Sequence, residues 1–236
     1  MLNPASIIIL TGAGISAESG LPTFRDANGL WEGQRFEDVA TPGAFGRDPK
    51  LVHRFYNARR AALGTVKPNA AHEAIARLQR EFRGKVTLVT QNVDDLHERG
   101  GSTDVIHMHG ELTKIRCTHC EAVHSWEGDL HETTACPDCQ RVGGLRPDIV
   151  WFGEMPYHMD VIEGLLSTAK LFVAIGTSGN VYPAAGFVRL AKLAGALAIE
   201  INVAGTEVTF AFDKRMHGPA TEEVPKLVDW VLASQA

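Results

Sequence analysis

Short apolar runs rich in β-branched residues recur along this chain of 236 residues, and each is bounded by Gly, Pro or polar residues. The runs are Ser6 to Thr11, Val86 to Thr90, Asp148 to Trp151, Leu171 to Ile175 and Leu197 to Ile201. Helical periodicity fills several gaps between them, at Ala70 to Phe82, Met159 to Ala169 and Ala184 to Leu193. Because parallel strands need crossover helices, this alternation predicts an α/β fold with a buried parallel sheet.

Composition narrows the class of protein. Hydrophobic residues make up 44% and charged residues 22% of the chain, which fits a globular protein with a sizeable core. The formal net charge of −5 argues against binding to a nucleic-acid backbone. No apolar run approaches the roughly 20 residues that span a bilayer. From the charge and from the lack of a long apolar run we expect no nucleic-acid partner and no membrane partner. Because Met1 to Leu10 also lacks a basic region and a cleavage site, we expect a cytoplasmic protein.

Two stretches interrupt the alternation, and they are predicted to be an insert and a metal-stapled module. Residues 28–68 are rich in aromatic residues, Arg and turn signals, and they contain a helical pattern from Pro49 to Leu63. Residues 111–146 hold all four cysteines and show little helical periodicity. The sheet domain is then predicted to comprise residues 1–27, 69–110 and 147–236.

A glycine-rich loop follows the first apolar run. Gly12-Ala13-Gly14-Ile-Ser-Ala17 matches the G-x-G-x-x-(G/A) pattern, in which glycines let main-chain N–H groups approach a pyrophosphate and a following helix adds partial positive charge. A tight turn between strand and helix is the simpler interpretation. The next loop carries Phe24 and Arg25, which could cover the nicotinamide end of a dinucleotide or form an ordinary surface loop.

Polar residues follow the second apolar run, where a parallel strand opens into a ligand crevice. Gln91 and Asn92 could bridge ribose hydroxyls, and Asp94 could accept from a carboxamide, although Asn92 or Asp94 could equally cap a helix. Further on, His109 is a candidate general base because an imidazole titrates near neutral pH. His107 is a weaker candidate.

The cysteines form two C-x-x-C pairs, Cys117 with Cys120 and Cys136 with Cys139. This spacing is typical of a structural zinc site made of four thiolates, with no open position for water. His119 and His124 lie nearby and leave the ligand set open, and four unliganded cysteines are the alternative.

Taken together and in this order, the motifs resemble those of the sirtuins. They are residues 12–26, Thr90 to Asp94, His109-Gly110, the cysteine pairs, Val150 to Glu154, Gly176 to Ser178 and Ile201-Asn202. The resemblance covers nearly the whole chain. It implies a Rossmann-type NAD-binding domain, a small zinc-binding domain formed by insertions, and NAD-dependent deacylation of protein lysines.

The resemblance also implies a mechanism and a set of roles. The acyl oxygen of a modified lysine attacks C1′ of the nicotinamide ribose, nicotinamide leaves, and His109 acts as base on a ribose hydroxyl, so that the acyl group ends on ADP-ribose. Asn92 would orient the ribose and the attacking water, and Asp94 would engage the carboxamide. The other NAD-binding residues would be Gly12, Ala13, Gly14, Ala17, Phe24, Arg25, Gln91, Gly176, Thr177, Ser178 and Asn202. The segment with Val150, Phe152, Gly153 and Glu154 would pair with an extended substrate peptide by strand addition.

Tyr56 and Arg59 lie three residues apart in a helical pattern and therefore share one face. In sirtuins such a pair resembles that of the desuccinylase-like branch, which includes bacterial CobB-type members, and it implies recognition of an acidic acyl chain. An Arg fork suits a carboxylate. A solvated helix face is the alternative, and the neighbouring Arg60 shows that not every Arg of this helix can point inward.

Other functions stay open from the residues alone. Transfer of ADP-ribose to protein shares the displacement of nicotinamide. A zinc-ribbon binding module that senses NAD without turnover is disfavoured by the negative charge and by His109 and Asn92. A nicotinamide dehydrogenase is disfavoured because no second strand with a ribose-binding acid follows the glycine-rich loop.

Overall fold

The structure, a computed structural model, describes residues 6–23 and 34–235. The strands are β1 (Ser6–Thr11), β2 (Lys85–Thr90), β3 (Ile106–His107), β4 (Gly110–Cys117), β5 (Val123–Ser125), β6 (Leu145–Ile149), β7 (Leu171–Ile175), β8 (Leu197–Asn202) and β9 (Lys214–His217). The helices are α1 (Phe36–Val39), α2 (Pro42–Arg47), α3 (Pro49–Leu63), α4 (Ala70–Glu81), α5 (Leu96–Arg99), α6 (Met159–Leu166), α7 (Phe187–Leu193) and α8 (Ala220–Ala233).

A six-stranded parallel sheet in the order β3-β2-β1-β7-β8-β9 forms the centre of the larger part of the structure. Alternate residues of β1 point to opposite faces. Ile7 and Ile9 pack in a core with α4 and α8, whereas Ile8 and Leu10 pack with α6 and α7. The predicted α/β class with a parallel sheet is confirmed, and the helix layers on both faces hold the carboxyl ends of the central strands in place.

A separate antiparallel sheet in the order β5-β4-β6 forms the smaller part of the structure, the small layer. Residues of α1 to α3 pack against this layer in a core that contains Val39, Tyr56, Leu112 and Trp151. The predicted boundaries at 110/111 and 146/147 fall inside or at the start of β4 and β6, and the division into domains stays a prediction.

The assignment of Asp148 to Trp151 to the parallel sheet is wrong. Its first residues belong to β6, which pairs with β4 in antiparallel register. The segment is apolar because Ile149 and Trp151 pack against α1 to α3, and not because it lies between two helix layers. Periodicity cannot separate these two kinds of burial.

The expected helix after the glycine-rich loop is also absent from the described ranges. Two short 3-10 turns, 13–15 and 17–19, stand in its place. The second turn ends at Gly20, whose φ of 100° is in the left-handed region. The side-chain amide of Asn69 donates to the Ile15 oxygen and to Ser19 Oγ at 2.8 and 2.9 Å, so tertiary bonds hold this loop.

Among the helices in residues 6–23 and 34–235, none has both the length and the apolar character needed to cross a membrane.

Candidate active site and metal centre

The predicted NAD-binding residues within the described ranges lie at the carboxyl ends of the central strands. Gly12, Ala13, Gly14 and Ala17 follow β1; Gln91, Asn92 and Asp94 follow β2; Gly176, Thr177 and Ser178 follow β7; and Asn202 ends β8. Because these strands are adjacent and parallel, their ends form one edge of the sheet, where α/β proteins bind ligands. Phe24 and Arg25 lie outside the described residues.

The loops after β1 and β7 are in direct main-chain contact. The N–H groups of Gly12 and Gly14 donate to the oxygens of Ile175 and Gly176 at 3.0 and 2.9 Å. A Cβ on Gly14 would lie 2.6 Å from the Gly176 Cα atom, so no side chain fits there. The glycines are therefore needed for the packing of two loops, a requirement separate from the approach to a ligand.

This loop pair offers main-chain donors suited to a diphosphate. The N–H groups of Ala13, Thr177 and Ser178 make no main-chain hydrogen bond to another residue in the described part of the chain. Asn202 fixes the second loop, because its side-chain amide donates to the Thr177 oxygen at 2.8 Å. Unpaired N–H groups beside a glycine cradle fit the phosphates of a dinucleotide.

A buried polar cluster lies below this edge. Ser16 Oγ donates to Asp94 Oδ2 at 3.1 Å, accepts from the Asn92 amide at 3.2 Å, and lies 3.4 Å from His72 Nε2. Asn92 and Asp94 are both buried, and burial raises the pKa of Asp94 against the opposing bonds from Leu96 N–H and Ser16. Leu96 N–H donates to Asp94 Oδ1 at 3.1 Å, but the N-cap of α5 is Asp95, so neither Asn92 nor Asp94 is the capping residue.

A second layer of polar groups joins β1 to β2. Thr11 Oγ1 donates to Thr90 Oγ1 at 2.8 Å and lies 2.9 Å from His97 Nε2. Burial lowers the pKa of His97 well below its ordinary value and lowers that of His72 to about 4, so both rings are uncharged at neutral pH. This layer holds the strand ends in register without adding charge beneath the site.

Sequence reasoning missed Ser16 and His72. Ser16 lies at a position of the glycine-rich motif where any residue is allowed, so the motif gave no signal for a serine. His72 could have been found from Asn69, a helix-capping residue whose main-chain N–H donates to His72 Nδ1 at 3.2 Å in a capping box.

His109 contacts the loop after β2 and has a defined tautomer. Its Nδ1 is 3.1 Å from the Gln91 oxygen, and because a carbonyl only accepts, Nδ1 carries the proton and Nε2 is left with a lone pair. Burial lowers the pKa of His109, so the neutral form predominates at neutral pH.

His107 is engaged differently from His109. Its Nε2 is 2.7 Å from Glu98 Oε1. Burial disfavours a charged ring, but the hydrogen bond and charge of Glu98 outweigh burial and raise the pKa of His107. His107 therefore acts as an ion-pair partner.

The four cysteines converge in the small layer. Their Sγ atoms all lie within 4.8 Å of one another, with 3.7 Å between Cys117 and Cys139 and between Cys120 and Cys136. Zn–S bonds of about 2.3 Å place neighbouring sulfurs about 3.8 Å apart in a tetrahedron, so the four thiols fit a structural zinc ion. His124 is paired with Asp138 at 3.3 Å, and His119 donates its main-chain N–H to Cys117 Sγ at 3.4 Å.

Tyr56 and Arg59 lie in α3, close enough for the Arg59 charge to act on the Tyr56 phenol. Tyr56 is fully buried, and its oxygen accepts from Trp151 Nε1 at 3.0 Å. The neighbouring Arg60 also points inward, because its guanidinium donates to the Leu112 and Gly128 oxygens at 2.9 and 3.1 Å. Arg60 thus joins α3 to the small sheet, a structural role that the sequence did not reveal.

The segment from Val150 to Glu154 is tied to its surroundings by its own N–H groups. Val150 N–H donates to the His109 oxygen at 2.9 Å, and Phe152 N–H donates to the Ala40 oxygen at 3.0 Å. The Glu154 carboxylate accepts from Arg146 at 2.6 and 2.9 Å and from the Trp151 N–H at 2.8 Å. Any peptide strand added here would have to use carbonyl oxygens of Val150 and Phe152, or the exposed Gly153.

The parallel sheet has a dinucleotide-binding type of site at the carboxyl ends of its strands, and the small layer has four cysteines arranged for a metal ion. Together these features are those of an NAD-binding protein with a structural metal site. The sequence model of the Sir2 family matches residues 12–183. The chain therefore belongs to the Sir2 family.

Individual relatives agree with this assignment. The chain is 57% identical over 225 residues to an NAD-dependent protein deacylase of Bdellovibrio bacteriovorus, covering 94% of this chain and 95% of the relative. A crystal structure of a Sir2 homologue in complex with NAD matches 99% of this chain and 92% of its own, with a TM-score of 0.90 and 40% identity. A Sir2 protein bound to a deacetylated p53 peptide and 3′-O-acetyl ADP-ribose matches 97% of this chain and 94% of its own, with a TM-score of 0.84 and 29% identity.

Proposed function

We propose that this chain removes acyl groups, acetyl and succinyl, from protein lysines in an NAD-dependent reaction that yields nicotinamide and O-acyl-ADP-ribose. The observation that carries the proposal is the contact of His109 with the main-chain oxygen of Gln91, the residue before the buried Asn92, which leaves the Nε2 lone pair of a neutral imidazole to act as a base. Family membership and the deacylase relative support the same reaction class.

The glycine loops and the polar cluster would bind the dinucleotide. Main-chain N–H groups of Ala13, Thr177 and Ser178 would hold the phosphates, and Gln91 and Asn92 would contact the nicotinamide ribose. Asp94, fixed by Ser16 and Leu96, would accept from the carboxamide. When bound, NAD supplies a ribose carbon as the electrophile for the lysine acyl oxygen and a ribose hydroxyl as the final acyl acceptor.

His109 would take a proton from that hydroxyl at Nε2. The Gln91 carbonyl fixes the tautomer and steadies the imidazolium that forms, because Nδ1–H remains its donor throughout. Burial keeps the ring neutral before the reaction, so no proton has to be removed from it first.

The substrate side is formed by α3 and by the segment after β6. An extended peptide would pair with the segment Val150 to Glu154 through the carbonyl oxygens of Val150 and Phe152 or through Gly153, which favours tolerance of peptide sequence because the main chain supplies the bonds. Tyr56 and Arg59 would receive the carboxylate of a succinyl chain, the phenol as a neutral donor and the guanidinium as a charged fork. The zinc ion, held by Cys117, Cys120, Cys136 and Cys139, would stabilise this layer and take no part in the reaction.

The test uses peptides of one sequence that carry acetyl-lysine or succinyl-lysine. Peptide mass and free nicotinamide are followed together, with and without NAD. We expect both peptides to lose the acyl group only with NAD, with one nicotinamide and one acyl-ADP-ribose per event. Release of nicotinamide while both peptides keep their acyl groups would replace the proposal with NAD hydrolysis or ADP-ribosyl transfer, and no change in either signal would favour a binding protein.

A further inference from the structure

Two histidines contact neighbouring carbonyl oxygens of the loop that follows β2. His109 Nδ1 is 3.1 Å from the Gln91 oxygen, and His107 Nδ1 is 3.4 Å from the Asn92 oxygen. His107 is paired with Thr90 in the parallel register of β3 against β2, so it lies at the carboxyl end of β2. The two oxygens belong to the residues that would contact the nicotinamide ribose.

Both ring nitrogens of His107 face hydrogen-bond acceptors. Its Nε2 is 2.7 Å from Glu98 Oε1, and its Nδ1 faces the Asn92 oxygen. Burial opposes ionisation of Glu98, but the hydrogen bond and charge of His107 outweigh burial and lower the pKa of Glu98, so this group is a carboxylate at neutral pH. A carboxylate and a carbonyl only accept, whereas a neutral imidazole has a single N–H to give. The geometry therefore fits the doubly protonated, positively charged ring.

We propose that His107 is a positioning residue, which as an imidazolium holds the main chain of Asn92 in place and thereby sets the affinity of the site for NAD. This inference rests on the proposed deacylase function. On deprotonation the ring keeps its one N–H for the stronger acceptor, the Glu98 carboxylate, and gives up the contact with Asn92. Affinity for NAD then falls once the medium is alkaline enough to remove the second proton.

The neighbouring carbonyls of the same loop are held in a way that does not depend on this proton. His109 keeps its Nδ1–H in both the neutral and the charged ring, and Leu112 N–H donates to the Val93 oxygen at 2.8 Å. Of the three contacts, that of Asn92 is the one that deprotonation removes. The Asn92 N–H still donates to Thr90 Oγ1 at 3.0 Å, so the loss loosens one peptide unit and does not unfold the loop.

The charges nearest to His107 favour the imidazolium. Burial of His107 acts to lower its pKa, but the hydrogen bond and charge of Glu98, together with the charge of Glu111, outweigh burial and raise it. The charge of His107 also acts on Asp94 in the loop after β2. His97 in α5 is uncharged because burial lowers its pKa well below the ordinary value, so it adds no repulsion at neutral pH.

The remaining groups that face His107 line an open cleft between β3 and the small layer. The charged or titratable residues of this cleft, besides His107 and Glu111, are Lys114, Arg116, Asp148, Tyr157 and His158. The two cations are paired, Lys114 with Glu111 and Arg116 with Asp148, so neither opposes protonation of His107 as a free charge. The cleft also gives the ring, which is 8% exposed, a route for exchange of protons with solvent.

The experiment measures the charge of His107 and the affinity for NAD on the same zinc-loaded full chain. Nitrogen-15 spectra of histidine-labelled protein distinguish a doubly protonated ring from either neutral tautomer, and His107→Gln assigns the signal. Affinity for NAD is titrated without peptide across the same pH range. We expect a charged His107 at pH 6.5 that loses its proton at higher pH, and a threefold to tenfold fall in affinity at the same point, about the value of one hydrogen bond.

Glu98→Gln separates positioning by the charge from a merely structural role. Removing the carboxylate charge should move deprotonation of His107 to lower pH by about one pH unit or more, and the fall in NAD affinity should move with it. His107→Gln should bind NAD more weakly at pH 6.5 and lack this fall. Glu73→Gln is the matched control, because Glu73 is an exposed glutamate of α4, and both curves should stay where they are.

A neutral His107 at pH 6.5 overturns the inference. So does a fall in NAD affinity that stays at one pH while the His107 signal moves in Glu98→Gln, or the absence of any such fall. Should His107→Gln fail to fold, Glu98→Gln decides alone, since its side chain is 42% exposed. A wild-type chain that binds NAD with the expected pH dependence but removes no acyl group overturns the proposed function instead, so the two failures are distinguishable.

Discussion

The Nδ1 atom of His109 lies 3.1 Å from the main-chain oxygen of Gln91, and this contact determines which ring nitrogen is available as a base. Gln91 directly follows β2, whose register against β1 is parallel along its whole length. The position of the base is therefore tied to the centre of the sheet, even though His109 itself lies between β3 and β4.

The pH dependence of deacylation follows from this contact. Burial lowers the pKa of His109 below the ordinary 6.5, so the neutral base stays available as pH falls through 6.5 and is lost only at lower pH. We expect the acid limb of kcat/KM to lie below pH 6.5. His109→Ala should reduce kcat by about 10²- to 10⁴-fold and remove this limb. An acid limb that persists unchanged in the variant would assign it to another group.

Gly14→Ala should disrupt the loop pair. A Cβ at Gly14 would lie 2.6 Å from the Gly176 Cα and 2.8 Å from its oxygen, and both are main-chain atoms that cannot move alone. We expect a lower melting temperature and a raised KM for NAD. Gly164→Ala is the matched control, because nothing lies within 4 Å of its added Cβ in α6, and it should stabilise the chain by about 0.5–1 kcal/mol. Equal behaviour of the two variants would contradict the packing role of Gly14.

Metal removal should unfold the small layer. The four sulfurs converge in a cluster whose apolar surroundings are few, namely Ile115, Leu130, Leu145 and the partly buried Trp126. We expect about one zinc per chain by elemental analysis, and loss of activity on chelation. Cys136→Ser should lose both the metal and the activity, while retained activity in the metal-free chain would contradict a structural role.

Arg59→Met tests recognition of the acyl carboxylate. The variant keeps an unbranched side chain but loses the charged fork, so kcat/KM for succinyl-lysine should fall about tenfold or more relative to acetyl-lysine. Arg54→Met is the matched control, because Arg54 is an exposed residue of the same helix. An equal loss on both substrates would exclude a role for Arg59 in carboxylate recognition.

The stability of the chain should fall as the medium becomes acidic. Burial lowers the pKa of His53 to about 4, and His53 is only 2% exposed. Between pH 6.5 and pH 4 the unfolded chain binds a proton at this position that the folded chain does not. The free energy of unfolding therefore decreases as the pH is lowered through that window. In His53→Gln, proton uptake on unfolding at pH 5 should be smaller by up to about one. An unchanged slope of stability against pH would show that His53 is accessible to protons in the folded chain.

Local pattern was sufficient for much of this protein. The apolar runs predicted β1, β2, β7 and β8, and helical periodicity predicted α3, α4, α6 and α7 to within a few residues, because burial on both faces of a sheet and on one face of a helix leaves a period in the sequence. The cysteine spacing predicted the cluster of four cysteines that fits a metal ion, since each C-x-x-C turn positions its own pair of sulfurs. The C-terminal helix α8, interrupted in sequence by Pro225, was not predicted.

Only the tertiary structure brought together groups that are far apart in the chain and carry no mutual signal. Ser16 meets His72 and Asp94, and Trp151 meets Tyr56, across 56, 78 and 95 residues respectively. Directional hydrogen bonds of this kind depend on distances of a few tenths of an ångström, which packing of the two layers sets. The residue types and their order thus determined the family and the chemistry available, whereas the tautomer of His109, the inward turn of Arg60 and the contact of Trp151 with the Tyr56 oxygen were decided by burial and by the partners that folding supplied.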